Sequence, residues 1–242
     1  MRENRMKKQE IAIVMAAGLG SRMGALTEKT PKPLVQVGGV PLIETIIKGL
    51  ERRGVGHIYI VTGYLCEQFG YLPEKYDNVS LIENGEYRTK NNISSLYAAG
   101  EVLGSADCFI CEADLYVADA DIFQRAGASS CYFGKIVSGY SPDWVFTVEN
   151  GRIVRIGKGA ENAYNMVGIS YWKREDAELI RREIVRAYQM KGHETLFWDE
   201  IADRLLDKMD VRICEVPAES IHEVDTEAEL RDLEFAVTVD QT

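Results

Sequence analysis

Short apolar runs alternate with helical patterns along the first half of the chain. Four runs predict strands, at residues 11–15, His57–Thr62, Val79–Glu83 and Cys108–Glu112. Residues 41–53 carry apolar side chains at helical spacing, Gly54 ends this pattern, and residues 92–103 predict a second helix. Because strands and helices alternate, we expect an α/β fold: a mainly parallel mixed sheet with helices on both faces, in a Rossmann-like three-layer sandwich.

The pattern changes after about residue 130, where short strands replace the alternation. Asn150-Gly151 suits a type I′ hairpin turn. The elements predicted to follow are a strand at 163–171, helices near 175–190 and 195–207, a strand at 211–216 and a final helix at 226–237.

No repeat, low-complexity tract or linker separates the two parts of the chain. We therefore expect a single domain at residues 11–240, preceded by a flexible tail at residues 1–10. The change in pattern divides this domain into one half at 11–130 and another at 131–240.

Charge and cysteine content exclude several classes of protein. The 242 residues include 28 Lys and Arg against 38 Asp and Glu, a net charge of −10. This balance argues against a nucleic-acid groove, which concentrates positive charge, but not against a small anionic ligand. No apolar run reaches the length of a membrane-spanning helix, so we expect no membrane insertion. Five cysteines without a framework spacing suit a reducing cytoplasm, and Cys108 and Cys111 would point to opposite faces of one strand.

A glycine-rich loop follows the first predicted strand directly. It reads Ala-Ala-Gly-Leu-Gly-Ser-Arg-Met-Gly over residues 16–24. Glycines let the backbone approach a phosphate, and successive N–H groups form an anion-binding concavity, so the loop is predicted to bind a nucleotide. The candidate contacts are Ala16, Ala17, Gly18, Gly20 and Ser21. Met23 stands where a dehydrogenase fingerprint requires glycine, and the loop lacks the Gly-Lys-Ser/Thr ending of a P-loop.

Two cations accompany this loop. Arg22 lies inside it and offers the planar, two-pronged donor geometry that suits phosphate. Lys32 lies between Pro31 and Pro33, which hold it rigidly; taken by itself, it is better explained as a solvated turn lysine. Taken together, the two motifs predict that Arg22 and Lys32 are catalytic and offset negative charge on a triphosphate.

The segment Gly-Leu-Gly-Ser-Arg-Met-Gly followed by Pro-Lys-Pro-Leu resembles the signature of the pyrophosphorylase-like nucleotidyltransferases, the superfamily of sugar-nucleotide synthases. The resemblance implies a fold of the nucleotide-diphospho-sugar transferase type. It also implies transfer of a nucleoside monophosphate from an NTP to a phosphorylated acceptor. Residues 11–130 would then bind the nucleotide, and residues 131–240 would bind the acceptor.

Two aspartates are candidate Mg²⁺ ligands. Asp114 ends the motif Glu112-Ala113-Asp114, at the carboxyl end of a strand, where α/β sheets bind ligands. Asp225 lies in Ile-His-Glu-Val-Asp-Thr at residues 221–226. Mg²⁺ takes one or two carboxylates together with substrate phosphates. The superfamily resemblance implies that both aspartates bind this metal, whereas an N-cap of the last helix is the alternative for Asp225.

The motif Lys-Asn-Asn-Ile-Ser-Ser-Leu at residues 90–96 resembles the bacterial phosphocholine cytidylyltransferases. Residues 168–172, residues 196–199 and the His-Glu-Val-Asp-Thr segment share this resemblance, which runs from about residue 10 to 235. It implies CTP as the nucleotide, with Asn92, Ser94 and Ser95 reading the edge of cytosine through hydrogen bonds. Capping of the helix that starts there is an equally good explanation for these three side chains.

Aromatic and acidic side chains of the second half are candidates for the acceptor pocket. A quaternary ammonium group is held by aromatic faces and nearby carboxylates. The pairs Asp143–Trp144 and Trp198–Asp199, together with Glu223, supply both kinds of group. Burial in the core is the alternative for each tryptophan. The cytidylyltransferase resemblance implies that CTP and phosphocholine, a small phosphorylated amino-alcohol, give CDP-choline and pyrophosphate.

Other acceptors, and one other class of protein, stay open. The same reaction on 2-aminoethylphosphonate or phosphoethanolamine, or nucleotidyl transfer to a sugar 1-phosphate, would use a similar site. A primary ammonium would favour carboxylates over an aromatic cage. A non-catalytic nucleotide-binding regulatory module is the alternative from a different class, but such a module would not need all four of the charged candidates, Arg22, Lys32, Asp114 and Asp225. The sequence does not decide whether the chain forms a homodimer.

Overall fold

The computed structural model describes residues 9–239. Most of the predicted tail, residues 1–8, and residue 240 of the predicted domain lie outside the described residues. The helices are α1 (Leu42–Arg53), α2 (Tyr71–Lys75), α3 (Ile93–Ala99), α4 (Arg174–Ala187), α5 (Trp198–Asp203) and α6 (Glu227–Val239). The strands are β1 (Ile11–Ala16), β2 (Gln36–Val37), β3 (Val40–Pro41), β4 (His57–Thr62), β5 (Val79–Glu83), β6 (Cys108–Glu112), β7 (Leu115–Val117), β8 (Ser130–Ile136), β9 (Tyr140–Glu149), β10 (Arg152–Glu161), β11 (Tyr164–Trp172), β12 (Val211–Glu215) and β13 (Ile221–Glu223).

Within residues 9–239, nine strands form one mixed sheet. Its main order is β5–β4–β1–β6–β11–β8–β12, and the hairpin β9–β10 joins it through β11. The first four strands are parallel, and β11 runs antiparallel to both β6 and β8. The sheet therefore continues across residue 130, so both predicted halves share one sheet. The predicted α/β class with a mainly parallel central sheet is confirmed.

Alternating side chains along the central strand explain the three layers. Ala12 and Val14 pack in a cluster with residues of α1 and α2, whereas Ile11 and Ile13 pack in a second cluster with residues of α3, α4 and α5. Because successive side chains of a strand point to opposite faces, an apolar strand needs a helical layer on each side. The same alternation separates the buried thiols of the neighbouring strand β6 into the two clusters, as expected from the sequence.

The second half begins with a long hairpin. Asn150 has φ 50° and Gly151 has φ 77°, and two positive φ angles in a two-residue turn are what type I′ requires. The predicted turn is therefore confirmed, although β9 and β10 are ten residues each and longer than the short strands expected. Because of this added length, the hairpin reaches the cavity at the carboxyl ends of the parallel strands.

Two predicted helices are shorter than their apolar patterns suggested. The helix predicted at 92–103 ends at Ala99, because Gly100 takes φ 56° and a 3₁₀ turn follows. The helix predicted at 195–207 is restricted to Trp198–Asp203. Its start is fixed by Asn92, whose Oδ1 accepts a hydrogen bond from the Trp198 backbone N–H at 2.9 Å.

Helix α6 covers the segment that follows the glycine-rich loop. Leu230 and Leu233 of α6 are buried against Val35, Val37 and Leu42 in a third apolar cluster. Met23, next to Arg22 in the loop, belongs to the same cluster, so this contact holds the end of the described chain beside the glycine-rich loop. Among the described residues, no helix is both long and apolar enough to cross a membrane.

Candidate active site

A cavity of about 700 Å³ runs along the carboxyl ends of the parallel strands. Asn84 follows β5, the glycine-rich loop follows β1, and Asp114 follows β6, in the order of these strands across the sheet. Trp144 and Lys158 of the hairpin line the opposite end of the cavity. This edge of an open α/β sheet is where ligands bind, so the strand order determines the order of functional groups along the cavity.

The glycine-rich loop lies directly against Lys32. Gly20 has φ 65°, and a Cβ built there would lie 2.9 Å from Lys32 Cβ. The Thr27 hydroxyl donates to the carbonyl oxygens of Gly20 (2.9 Å) and Gly24 (3.2 Å), which holds the turn. All the residues predicted to form the nucleotide loop line the cavity: Ala16, Ala17, Gly18, Gly20 and Ser21.

Lys32 connects the two predicted metal ligands. Its side chain is 8% exposed, and Nζ donates to Asp114 Oδ2 at 2.7 Å and to Asp225 Oδ1 at 2.5 Å. Arg22 donates to the other oxygen of Asp225. Burial favours the neutral amine, but Asp114 and then Asp225 outweigh it, so the pKa of Lys32 lies above its ordinary value. The structure therefore brings together the four charged residues predicted from distant motifs.

Three carboxylates at this point fit a divalent cation. Asp114, Glu223 and Asp225 each offer an oxygen within 4.8 Å of the others. Asp114 Oδ1 is buried and has no hydrogen-bond partner among the described residues, so it is available as a ligand. Carboxylate oxygens are the ligands that Mg²⁺ prefers. Glu223, predicted as an acceptor contact, therefore lies among the candidate metal ligands.

Pairing between two short strands creates this cluster. β13 pairs antiparallel with β7, and the backbone N–H of Val224 donates to the Asp114 carbonyl at 3.2 Å. Asp225 is not the N-cap of α6, which was the alternative expected for it. Thr226 has that role, since its hydroxyl accepts from the Glu229 backbone N–H at 3.2 Å. The Asp225 carboxylate is thereby left to bind the cations.

A further carboxylate, Glu112, lies beside this cluster and lines the cavity. It makes no side-chain hydrogen bond or ion pair with the described residues. Burial, followed by the charges of Asp114, Asp199 and Glu223, raises the pKa of Glu112 well above its usual range. Burial and the neighbouring aspartates likewise raise the pKa of Glu223 to about 7. Both carboxyl groups therefore hold a proton more readily than usual, and a cation bound beside them would favour their charged form.

The wall at the β5 end is polar. Ser94 and Ser95, predicted to contact the base, both line the cavity, and the buried Asn84, which sequence reasoning missed, donates to both hydroxyls. Asn92 also lines the cavity, but its Oδ1 caps α5. Helix capping was the alternative expected for Asn92. Its side chain does cap a helix, but that helix is α5 and not α3.

The opposite wall combines aromatic rings with a lysine. The rings of Trp144 and Phe197 meet edge to face with centroids 5.4 Å apart, and Lys158 Nζ lies 5.1 Å and 5.3 Å from these centroids. Asp143 also lines the cavity. Trp144 and Asp143, predicted to contact the acceptor, therefore line the cavity, while Phe197 and Lys158 were not among the predicted site residues.

The second predicted acceptor pair, Trp198–Asp199, does not line the cavity. Trp198 is 3% exposed and packs between the rings of Tyr132 and Trp172. Asp199 is 2% exposed and accepts from the Tyr132 hydroxyl at 3.0 Å. Both side chains belong to the core behind the wall, because α5 turns its apolar face to the sheet. Burial in the core, the alternative expected for each tryptophan, therefore describes Trp198.

Some missed residues carried a sequence signal and others did not. Glu112 stands in the same motif as Asp114, and Phe197 directly precedes Trp198. Lys158 faces Trp144 across the hairpin, but an irregularity in the pairing between Ile153 and Arg155 shifts the register. Counting residues back from the turn would therefore have paired Trp144 with the wrong residue.

Comparisons with known proteins agree with this geometry. The model of the MobA-like NTP transferase domain matches residues 12–137. A 2-aminoethylphosphonate cytidylyltransferase from Lancefieldella rimae is 52% identical over 220 residues, which cover 90% of this chain and 89% of that protein. A choline-phosphate cytidylyltransferase from Streptococcus pneumoniae is 36% identical over 224 residues, covering 92% and 96%.

A solved structure shows the same architecture. The CTP:phosphocholine cytidylyltransferase from Streptococcus pneumoniae superposes with a TM-score of 0.86 at 35% identity, over 95% of this chain and 99% of that one. The family model spans more than half of the chain, and the relatives are matched over nearly their full length. The chain therefore belongs to the MobA-like NTP transferase family and is a nucleotidyltransferase.

Proposed function

We propose that this enzyme is a cytidylyltransferase that transfers CMP from CTP to 2-aminoethylphosphonate and releases pyrophosphate. The observation that carries the proposal is the 52% identity with a 2-aminoethylphosphonate cytidylyltransferase, against 36% with a choline-phosphate cytidylyltransferase of similar coverage. The preferred acceptor is thus one of the alternatives from the sequence. Phosphocholine, the acceptor first expected, is less well supported.

Carboxylates of the cavity support an acceptor with a positive charge. Glu112 and Glu223 both line the cavity, Glu223 within the metal cluster and Glu112 beside it. Both have raised pKa values, and a primary ammonium beside them would favour the charged carboxylate and donate up to three hydrogen bonds. A trimethylammonium group has no N–H to donate, and a sugar has no positive charge that would favour the carboxylate form. These two carboxyl groups therefore suit an amino acceptor, and among amino acceptors a primary amine.

The aromatic wall supports the same choice. The faces of Trp144 and Phe197 would suit a quaternary ammonium, but the Lys158 ammonium lies over both rings. Trp198, which would have added a further aromatic face, is buried in the core. A trimethylammonium group would have to displace Lys158 from this wall. The positive charge of Lys158 instead suits the anionic end of a phosphonate.

The reaction needs positioning and charge neutralisation more than acid–base catalysis. An oxygen of the acceptor phosphonate attacks the α-phosphorus of CTP, a new P–O–P bond forms, and the bond from that phosphorus to the bridging oxygen of pyrophosphate breaks. The attacking oxygen is already anionic, so no general base is required. Arg22 and Lys32 stabilise charge that builds up on the departing pyrophosphate.

Asp114 and Asp225, with Glu223 beside them, would hold Mg²⁺. The bound metal would supply charge neutralisation at the phosphates. Because Lys32 contacts both aspartates, it is held at the point where the triphosphate and the carboxylates meet.

The direct test is to measure kcat/KM with CTP for 2-aminoethylphosphonate, phosphoethanolamine and phosphocholine. The rate of pyrophosphate release gives the rate of each reaction. We expect 2-aminoethylphosphonate to exceed phosphocholine by at least about tenfold, equivalent to about 1.4 kcal/mol in the transition state. Reactions without acceptor control for CTP hydrolysis. A tenfold preference for phosphocholine would overturn the acceptor while leaving the cytidylyltransferase assignment standing.

Replacing Lys158 by methionine tests the hairpin wall. Loss of its charge should raise KM for 2-aminoethylphosphonate by about tenfold, since a charge-assisted contact is worth about 1.5–3 kcal/mol. Uncovering the rings should at the same time improve phosphocholine as an acceptor. Arg155→Met is the matched control, because it removes the same charge from β10 outside the cavity lining. Equal kinetics for the two variants would remove Lys158 from the acceptor site.

A further inference from the structure

A buried asparagine fixes the hydrogen-bond directions at the polar wall of the cavity. Asn84 is 2% exposed and follows β5. Its Oδ1 accepts from the Glu86 backbone N–H at 2.9 Å. A backbone N–H can only donate, so this contact assigns the amide oxygen to that side and points Nδ2 towards α3. The Nδ2 hydrogens reach Ser94 Oγ at 2.9 Å and Ser95 Oγ at 3.3 Å.

The two serines use their hydroxyl groups differently. Both accept a hydrogen from Asn84. Ser94 donates its own hydrogen to the Asn91 carbonyl at 2.8 Å. Ser95 has no acceptor for its hydrogen among the described residues, although it is 4% exposed and lines the cavity. Ser95 therefore offers a hydrogen-bond donor to a ligand, whereas Ser94 does not.

The position of Ser95 relates this donor to the nucleotide base. Arg22 and Lys32 locate the phosphates in the middle of the cavity, and Trp144 and Lys158 form the acceptor wall near β11. Ser95 lies at the other end, beside the β5 edge of the sheet. A nucleotide whose triphosphate meets the cations would extend its base towards this end.

We propose that Asn84 orients Ser95 so that its hydroxyl donates to the base and selects cytosine over uracil. Cytosine carries acceptors at N3 and O2, whereas N3 of uracil carries a hydrogen. A donor held in place pairs with N3 of cytosine but meets a second donor in uracil, and facing donors leave both unsatisfied. The inference rests on the proposed use of CTP and assigns Asn84 as a positioning residue, not a catalytic one.

Reversing the direction of the network is the most specific test. Asn84→Asp keeps the size of the side chain and the acceptor for the Glu86 N–H, but it removes both donors. The Ser95 hydroxyl then donates to the carboxylate and turns a lone pair to the cavity, which suits the N3–H of uracil. We expect the ratio of kcat/KM for CTP over UTP to fall by about tenfold or more.

Ser95→Ala and Ser94→Ala form a matched pair on the same helix. Removing the free donor of Ser95 should lower the CTP:UTP ratio by about two- to tenfold. Ser94→Ala should leave the ratio at its wild-type value, because its hydrogen is already donated to Asn91. Thermal unfolding of each variant checks the fold, and if Asn84→Asp does not fold, the serine pair decides.

An unchanged ratio in Ser95→Ala, or an equal fall in Ser94→Ala, would overturn the inference. Failure of the proposed function would be visible earlier, in the unmodified enzyme. A wild-type preference for UTP would contradict the use of CTP before any variant is made. A different preferred acceptor would not affect the comparison, because the nucleotide ratio is measured with whichever acceptor the wild type uses best.

Discussion

Asp199 shows how burial alters the role of a single acidic residue. Its carboxyl group is enclosed between α5 and the sheet and accepts from the buried Tyr132 hydroxyl. Burial raises the pKa of Asp199 to about 7. The charge of Asp199 also raises the pKa of Glu112, so the residue affects the cavity from behind its wall. Its influence there is electrostatic, because the Asp199 side chain does not line the cavity.

A shifted pKa makes stability depend on pH. The pKa of Asp199 is higher in the folded than in the unfolded chain, so the folded protein binds the extra proton between about pH 4 and 7. Folding is therefore expected to lose stability as the pH rises through this window, by at most about 1.4 kcal/mol per pH unit from this residue. Asp199→Asn keeps an acceptor for Tyr132 and should remove this component.

Urea unfolding at pH 5 and pH 8, with a chelator present, measures the difference. We expect Asp199→Asn to lose less free energy of unfolding between the two values than the wild type. Glu223 has a similarly raised pKa but is present in both proteins, so its contribution cancels. The same pH dependence in both proteins would show that Asp199 does not titrate in this window.

At the scale of elements, the glycine-rich loop depends on one backbone conformation. Gly20 lies in the left-handed region, and its missing side chain leaves room for Lys32. Gly18, two residues earlier, has open space around the position of a Cβ. The loop therefore requires glycine at 20 to support the lysine, whereas the glycine at 18 leaves the cavity open to a ligand.

Gly20→Ala should destabilise the protein, whereas Gly18→Ala should not. The new Cβ would lie 2.9 Å from Lys32 Cβ and 3.2 Å from Thr27 Cγ2, on a backbone with φ 65°. Such strain costs about 1–3 kcal/mol. Denaturant unfolding of both variants measures the loss independently of catalysis. Equal stabilities would mean that the loop relaxes without strain.

At the scale of the whole molecule, the site depends on contacts between distant parts of the chain. Lys32 and Asp225 are 193 positions apart, and Lys32 and Asp114 are 82 apart. The parallel sheet places Asp114 next to the glycine-rich loop, and the pairing of β13 with β7 places Asp225 beside both. Metal binding at this cluster is therefore expected to stabilise the folded chain as a whole.

Added Mg²⁺ should raise the Tm of the wild type, because a ligand that binds the folded state stabilises it, by about 2.7 kcal/mol at one hundred times its Kd. Asp225→Ala should lose this shift and lower kcat by about 10³-fold. Asp121→Ala removes an exposed carboxylate paired with Arg52 and serves as the control. A full Mg²⁺ shift in Asp225→Ala would exclude Asp225 as a ligand.

Local patterns in the sequence were sufficient for much of the fold. Strands His57–Thr62, Val79–Glu83 and Cys108–Glu112 follow from their apolar runs, and the Asn-Gly turn follows from its requirement for positive φ. The charged motifs also identified the residues that meet at the centre of the cavity. Each of these features depends on residues that are close together in the chain, so each can be predicted from a single sequence.

Tertiary structure decided which side chains face the cavity. The sequence determined that Trp198 lies beside an acid, but the packing of α5 on the sheet determined that both are buried. Likewise, an irregular register placed Lys158 opposite Trp144, and the ends of two separate elements brought Asn84 to Ser95. Periodicity along the chain specifies local conformation. Which side chains point into the cavity depends instead on contacts that form only when distant segments pack together.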